Sequence, residues 1–355
     1  MFRIAFLILF SVLCLFTTAQ VKYYNADQFP LIGKISNETE TRYERLPACL
    51  KTKCRKPVWS LGKNTAGLAV RFRTNSTSIS LQWDLLNNTI MNHMAFVGIK
   101  GLDLYVWVDN KWAYANSARP TGVTNRADMI RNMTSQDREY LLYLPLYDGV
   151  TSLSIGVDSL STIEQPKINS PDTSRPIVLY GTSITQGGCA SRPGMAYSNI
   201  LSRWLNREVI NLGFSGNGKL DYEIAEFIAT KEDASLFILD FVGNNTPEQI
   251  LARTIPFVRI IRQKNPNTPI LLIERATLKS DFNRDNYNSR NLKNMKLRAV
   301  FEQLAQSGDK NLYYLEGEGL IGTDGEATVD GGHFTDLGFL RFAEALYAKL
   351  KMLNL

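Results

Sequence analysis

Apolar residues follow two different rhythms along the chain. In the first half the period is two. In SISLQWDL (78–85), Ile79, Leu81, Trp83 and Leu85 fall on one face, and Ser78, Ser80, Gln82 and Asp84 fall on the other. That alternation marks a half-buried strand. Runs of the same kind occupy 67–74, 102–108, 139–146 and 152–158, and Asp148-Gly149 between the last two reads as a hairpin turn. Short strands and turn residues without a convincing helix predict an all-β sandwich over 20–158. Residues 159–175 are polar, proline-containing and aperiodic, and read as a linker.

From residue 176 the pattern changes to alternation of element types. Continuous apolar runs at 176–180, 208–214, 235–241, 269–274 and 311–317 are separated by amphipathic stretches near 196–206, 221–230, 247–264 and 287–307, with a last one near 335–350. Buried strands between amphipathic helices predict a parallel sheet covered on both faces. With right-handed crossovers this is a three-layer α/β/α domain over 176–355. In such sheets, sites form at the carboxyl ends of the strands.

The first nineteen residues belong to neither half. Arg3, an apolar run over 4–16 and then Thr17, Thr18 and Ala19 make the pattern of a signal peptide cut after Ala19, which predicts a secreted or periplasmic protein. Leu13 before Cys14 is bulky where a lipoprotein site takes a small residue. No later segment reaches the ~18 uninterrupted apolar residues of a membrane span, so no integral membrane association is expected. Export makes disulfides possible. Cys49 and Cys54 lie in a polar loop and read either as a small-loop disulfide or as two solvated thiols.

Composition narrows the chemistry. Forty Lys+Arg against 34 Asp+Glu give +6 over 355 residues, without a run of five like charges, so nucleic acid is not an expected partner. His93 and His333 are the only two histidines, which excludes HExxH and three-histidine metal centres, and the chain has no CxxC pair.

The loops after the strands carry the candidate residues. The first strand runs into YGTSITQGG, where Ser183 sits among glycines that let a hydroxyl stand at a tight turn; a plain turn serine is the alternative. The second runs into GFSGNGKLD. Its Gly213, Gly218 and Lys219 approach a phosphate-binding loop, but Leu220 stands where magnesium needs Ser or Thr, and Gly216 is the better candidate as an oxyanion donor. The third runs into DFVGNNTP, where the Asn244 amide could donate to the same oxyanion or cap the next helix. Asn244-Asn245-Thr246 is also a glycosylation sequon, which a catalytic role would need to keep bare. After the fifth strand, Asp330 and His333 in VDGGH provide a carboxylate and an imidazole three residues apart, the pair that a serine nucleophile requires.

These four segments together resemble the four blocks of the SGNH (GDSL-type) hydrolases: Ser183, Gly216, Asn244 and the pair Asp330 and His333 match in order. Gly101-Leu102-Asp103-Leu104-Tyr105 is similar to the GxDLY signature of a β-sandwich domain that precedes such hydrolases in exported bacterial proteins. One position departs from the pattern. The GDS core reads Gly181-Thr182-Ser183, and replacement of a non-nucleophilic aspartate implies retained activity with a reshaped first loop. The GxSxG elbow of the α/β-hydrolases is absent from the chain.

The resemblance implies a Ser183–His333–Asp330 triad, an oxyanion hole from the Ser183 and Gly216 N–H groups and the Asn244 amide, an acyl-enzyme intermediate, and no cofactor or metal. The expected substrate is a small acyl ester or acylated glycan, acetyl foremost. An acyltransferase, and a glycan-binding protein with a decayed hydrolase domain, are the alternative readings. Trp59, Trp107 and Trp112 are sugar platforms or core residues, His93 either reaches into the cleft or is structural, and Cys189 is a reactive or a packed thiol. The oligomeric state stays open.

Overall fold

The computed structural model describes residues 20–277 and 284–355. The expected signal peptide, 1–19, lies outside the described residues. The first half contains β1 (Val21–Asn25), β2 (Leu31–Ile32), α1 (Lys56–Gly62), β3 (Ala69–Thr74), β4 (Ile79–Leu85) and α2 (Phe96–Lys100). It continues with β5 (Leu102–Val108), β6 (Lys111–Ala118), β7 (Thr124–Ile130), β8 (Arg138–Tyr143), β9 (Val150–Asp158) and β10 (Ile163–Glu164).

Two antiparallel sheets result. One has the order β1-β9-β4-β7; the other runs β10-β3-β8-β5-β6, with β2 also on β3. The period-two pattern does what it predicts: Leu81, Trp83 and Ile155 of one sheet bury against Phe72, Leu104 and Leu142 of the other.

Three local expectations differ from the structure. β8 and β9 are not a hairpin, because they belong to different sheets. Asp148 makes this crossover by turning its carboxylate inward, where Oδ1 accepts the Asn87 and Gly149 N–H groups and Oδ2 meets buried Lys100. An Asp-Gly pair whose aspartate is an anchor does not close a two-residue turn. The two short helices α1 and α2 were not evident, as one-to-two-turn helices carry too few residues for a 3.6 period to show. Finally, Cys49 and Cys54 are both free thiols, Cys49 exposed and Cys54 buried beside Leu50 and Val58, so neither the disulfide nor the two-solvated-thiol reading holds.

Residues 159–175 are tied down rather than loose, since β10 adds to the edge of β3 and Arg73 pairs with Glu164. Trp112 is buried, with its indole N–H donating to Ser170 Oγ, and Trp107 packs edge-on against it at 5.1 Å. Trp59 packs onto an apolar core, so the core reading holds for all three tryptophans.

The second half contains β11 (Asp172–Gly181), α3 (Ser183–Gln186), α4 (Tyr197–Leu205), β12 (Arg207–Gly213), α5 (Tyr222–Ala229) and β13 (Leu236–Asp240). α6 (Pro247–Lys264), β14 (Ile270–Ile273), α7 (Arg284–Gln306), β15 (Leu312–Leu315) and α8 (Asp336–Met352) complete it. Its five strands are all parallel in the order β12-β11-β13-β14-β15. Successive residues of β11 serve opposite layers: Val178 and Tyr180 pack towards Phe257 and Leu297, while Ile177 and Leu179 pack towards Ile200 and Phe339. This is the α/β/α sandwich that the alternation predicts.

The halves share their cores. Leu46, Leu50 and Val58 enter one layer of the α/β domain, and Ala66, Ile99 and Leu146 enter the other. Polar clamps sit at the seam. Buried Arg45 donates to the carbonyls of Asn211 and Gly213 at the end of β12, and burial lowers its guanidinium to about 9. Asp103 of the GxDLY segment accepts from the Arg192 guanidinium and the Gly194 N–H, both at 2.7 Å. The signature therefore fastens the sandwich to the loop that leads into α4.

Candidate active site

β11 delivers Ser183 to the carboxyl edge of the sheet. Thr182 caps the short α3, its hydroxyl accepting the Ile184 N–H at 3.2 Å, which is work an aspartate also does at that position. The Thr-for-Asp departure thus preserves the turn that presents the serine. Ser183 is the first helical residue, so its own N–H has no partner within the helix.

His333 comes from the loop before α8. Its Nε2 lies 3.0 Å from Ser183 Oγ, and its Nδ1 lies 2.8 Å from Asp330 Oδ2. The other oxygen of Asp330 accepts the backbone N–H groups of Gly332 and His333 at 2.9 and 2.8 Å. Partial burial would raise this carboxyl, but the hydrogen bonds from the His333 backbone and ring and from Gly332 outweigh it and hold its pKa at about 2. An ionised carboxylate only accepts, so the proton resides on Nδ1 and the Nε2 lone pair faces the serine.

β13 ends on a short turn, Val242–Asn244, that brings Asn244 to the same cavity as Ser183 and His333. Asn244 Oδ1 accepts the Gly218 N–H at 3.1 Å, which leaves the Nδ2 donors for the cavity. Asn244 is not the helix cap. Thr246 caps α6 in a capping box with Gln249.

Gly216 has φ +67, a left-handed value that glycine adopts without strain, on the loop that follows β12. That loop is fixed to the first block by Phe214 N–H to Gly181 O and by Ser215 N–H to Gln186 Oε1. Gly216 itself is not among the residues that line the cavity, whereas Gly243, Asn244 and Ser183 are.

The cavity encloses about 200 Å³. Ile184, Ala276, Ile321 and Phe342 supply apolar wall, and Asp240, Arg275 and Arg290 also line it. Burial pushes the Asp240 carboxyl up to about 7 while Thr185 and Tyr197 donate to it. Sequence reasoning missed these residues. Arg275 directly follows the fourth strand, so reading that strand to its carboxyl end would have found it, and Asp240 is a lone acid closing an apolar strand. Arg290, on α7, gave no signal.

His93 crosses from the sandwich to the site, with its ring centroid 5.5 Å from that of His333. Cys189 is buried, and burial raises its thiol to about 11. The cleft-reaching reading of His93 and the packed reading of Cys189 describe their positions.

A hydroxyl, an imidazole and a carboxylate in file beside an amide donor, at the carboxyl edge of a parallel sheet, form the constellation of a serine-type acyl hydrolase. The chain belongs to the GDSL-like lipase/acylhydrolase family, whose model matches residues 174–351, and a model described as the N-terminus of Esterase_SGNH_hydro-type matches 21–163. That membership places it among the carboxylic ester hydrolases. It is similar to a Bacteroides ovatus protein described as a GDSL-like lipase, at 40% identity and TM-score 0.89, over 94% of this chain and 98% of that one. A salicylyl-acyltransferase from a tetracycline biosynthetic pathway shares the fold at 19% identity and TM-score 0.74, with the same coverage of 94% and 98%. An acetyl xylan esterase from the rumen bacterium Butyrivibrio proteoclasticus shares it at 12% identity and TM-score 0.56, again over 94% and 98%. No curated protein matches. No helix among the described residues is long and apolar enough to cross a membrane.

Proposed function

We propose that the protein is an exported serine esterase that removes short acyl groups, acetyl foremost, from carbohydrate. The observation that carries the chemistry is the file Ser183 Oγ–His333 Nε2 at 3.0 Å and His333 Nδ1–Asp330 Oδ2 at 2.8 Å. Ser183 Oγ attacks the ester carbonyl carbon as its proton passes to His333 Nε2, and Asp330 holds the resulting imidazolium. Ser183 N–H and Asn244 Nδ2, from residues that line the cavity, receive the oxyanion, and the Gly216 N–H is a third donor only if its loop closes onto that cavity. When the tetrahedral intermediate collapses, the carbon–oxygen bond to the alcohol breaks, and the sugar hydroxyl leaves with the proton from His333. Water then attacks the acyl-enzyme, giving its proton to His333, and releases the acid and the free serine.

A cavity of about 200 Å³ supports a small acyl group, being below the ~300–1,000 Å³ typical of drug-sized ligand sites. Carbohydrate is supported by neighbours in fold, among them the acetyl xylan esterase and a family two carbohydrate esterase from Clostridium thermocellum in complex with cellohexaose. Export is supported by the signal-type pattern of residues 1–19. A transferase is the second reading, favoured by the likeness to the salicylyl-acyltransferase, in which a sugar hydroxyl replaces water as acyl acceptor. The intact file weighs against a decayed, non-catalytic domain.

The test is release of acids from a panel of esterified polysaccharides, with and without acceptor sugars. Free acetate as the main product supports the proposal. Methanol or long-chain acids alone would refute the substrate class, and acetyl appearing on the acceptor instead of as acetate would favour the transferase.

A further inference from the structure

His93, Cys189 and His333 come from three separate loops, yet their ligating atoms all lie within 4.8 Å of one another. Among the described residues no other three His, Cys, Asp or Glu side chains gather in this way. The convergence is built. A Cβ on Gly98 would collide with the carbonyl oxygen of Ala190, so a glycine there is what lets the His93-bearing segment of the sandwich lie against residues 189–190. Cys189 has φ +75, a left-handed conformation uncommon outside glycine. Its turn is pinned by Gly188 N–H to Ser183 O at 2.7 Å and by Ala190 N–H to Gly187 O at 3.1 Å. His93 Nδ1 lies 3.2 Å from Asn92 Oδ1, an acceptor that suits a ring proton on Nδ1 and so a lone pair on Nε2. The ester chemistry uses neither His93 nor Cys189.

We propose that these three side chains form a binding site for a borderline-soft divalent cation, zinc best of all, and that its occupation takes His333 away from Ser183. Two imidazoles and a thiolate are a zinc-type donor set. Tetrahedral zinc places such ligand atoms about 3.3–3.6 Å apart, so the cluster tightens by roughly 1 Å on binding. Cys189 releases its proton to solvent as the metal–sulfur bond forms. His333 Nδ1 is engaged by Asp330, so the lone pair offered to the metal is that of Nε2, the same pair that accepts the Ser183 hydroxyl. Cation and serine compete for it. The cation thereby switches the esterase off, a consequence that rests on the reading of His333 as the base; the binding itself does not.

The test uses the full chain with Co²⁺ and Zn²⁺ as separate probes. One equivalent of Co²⁺ should give a thiolate-to-metal charge-transfer band that Cys189→Ser abolishes. Zn²⁺ should inhibit p-nitrophenyl acetate hydrolysis, reversibly with a chelator. In Cys189→Ser zinc-free turnover should match the parent, and in both Cys189→Ser and His93→Gln the inhibition constant should rise by more than the roughly tenfold that loss of even an outer-shell partner produces. Absence of the cobalt–thiolate band, or equal zinc inhibition of parent and both variants, overturns the site. The band together with full turnover at saturating Zn²⁺ overturns the switch. Failure of the underlying mechanism shows itself separately, as a metal-free His333→Ala variant that still turns over.

Discussion

The sandwich holds an ion pair, Lys100–Asp148, whose side chains are 0% and 1% exposed; the α/β domain holds a hydrogen-bonded pair, His333–Asp330, at 32% and 42%. Both tie a cation-forming group to an aspartate beside a domain seam, and their burial separates their uses. Lys100 and Asp148 are closed off from water on every side, with Asn87 O accepting from the same ammonium at 2.6 Å. Such a pair fixes where loops cross, and removing either partner leaves the other charge buried and uncompensated. His333 and Asp330 stay open to a cleft, and the imidazole keeps a lone pair directed at a hydroxyl. Exposure, which weakens a structural ion pair, is what lets this one meet a substrate.

The contrast breaks most sharply at Ser183. Ser183→Ala should lower kcat for p-nitrophenyl acetate by about 10⁴-fold or more, since nucleophile, base and carboxylate act as a unit. Next comes the other pair. Lys100→Met strands Asp148 and should destabilise the fold by about 3–5 kcal/mol in urea unfolding, while kcat of the folded fraction stays at the parent value. Loss of turnover without loss of stability would contradict that division. Asn244→Ala removes one oxyanion donor and should lower kcat by about 10²–10³-fold with KM little changed.

The remaining effect is in pH dependence. Burial raises Asp240 from 3.8 to about 7. Between those values the folded chain holds a proton that the unfolded chain has released, so this group's contribution is greatest below the lower value and fades as pH rises through the upper one. Asp240→Asn should remove that slope. Thermal unfolding of parent and variant across pH 4–8 should converge at the acid end and diverge towards neutrality, with the variant then the more stable. Parallel curves would contradict the assignment.

Legibility followed periodicity and strand ends. The alternation of Ile79 to Leu85 and the apolar runs of the parallel sheet announce both architectures, because burial of one face or of two leaves a direct trace in residue order. Ser183 and Asn244 could be picked out because each follows a strand at its carboxyl end, where an α/β sheet opens, and Asp330 and His333 because they share the loop between the last strand and the last helix. Arg275 obeys the same rule, directly after the fourth strand. His93 could not be placed, since its approach to His333 depends on how Gly98 seats against Ala190, a docking contact with no period in the sequence. Asp148 was misread for a related reason: the same Asp-Gly dipeptide serves a hairpin or an anchor, and a lysine 48 positions away decides between them.

The most direct test of the central claim is labelling by a serine-directed phosphonate, located by peptide mass spectrometry. One adduct per chain is expected, on Ser183, forming in step with loss of esterase activity and absent from His333→Ala. An adduct on another residue, or full inactivation with Ser183 unmodified, would contradict it.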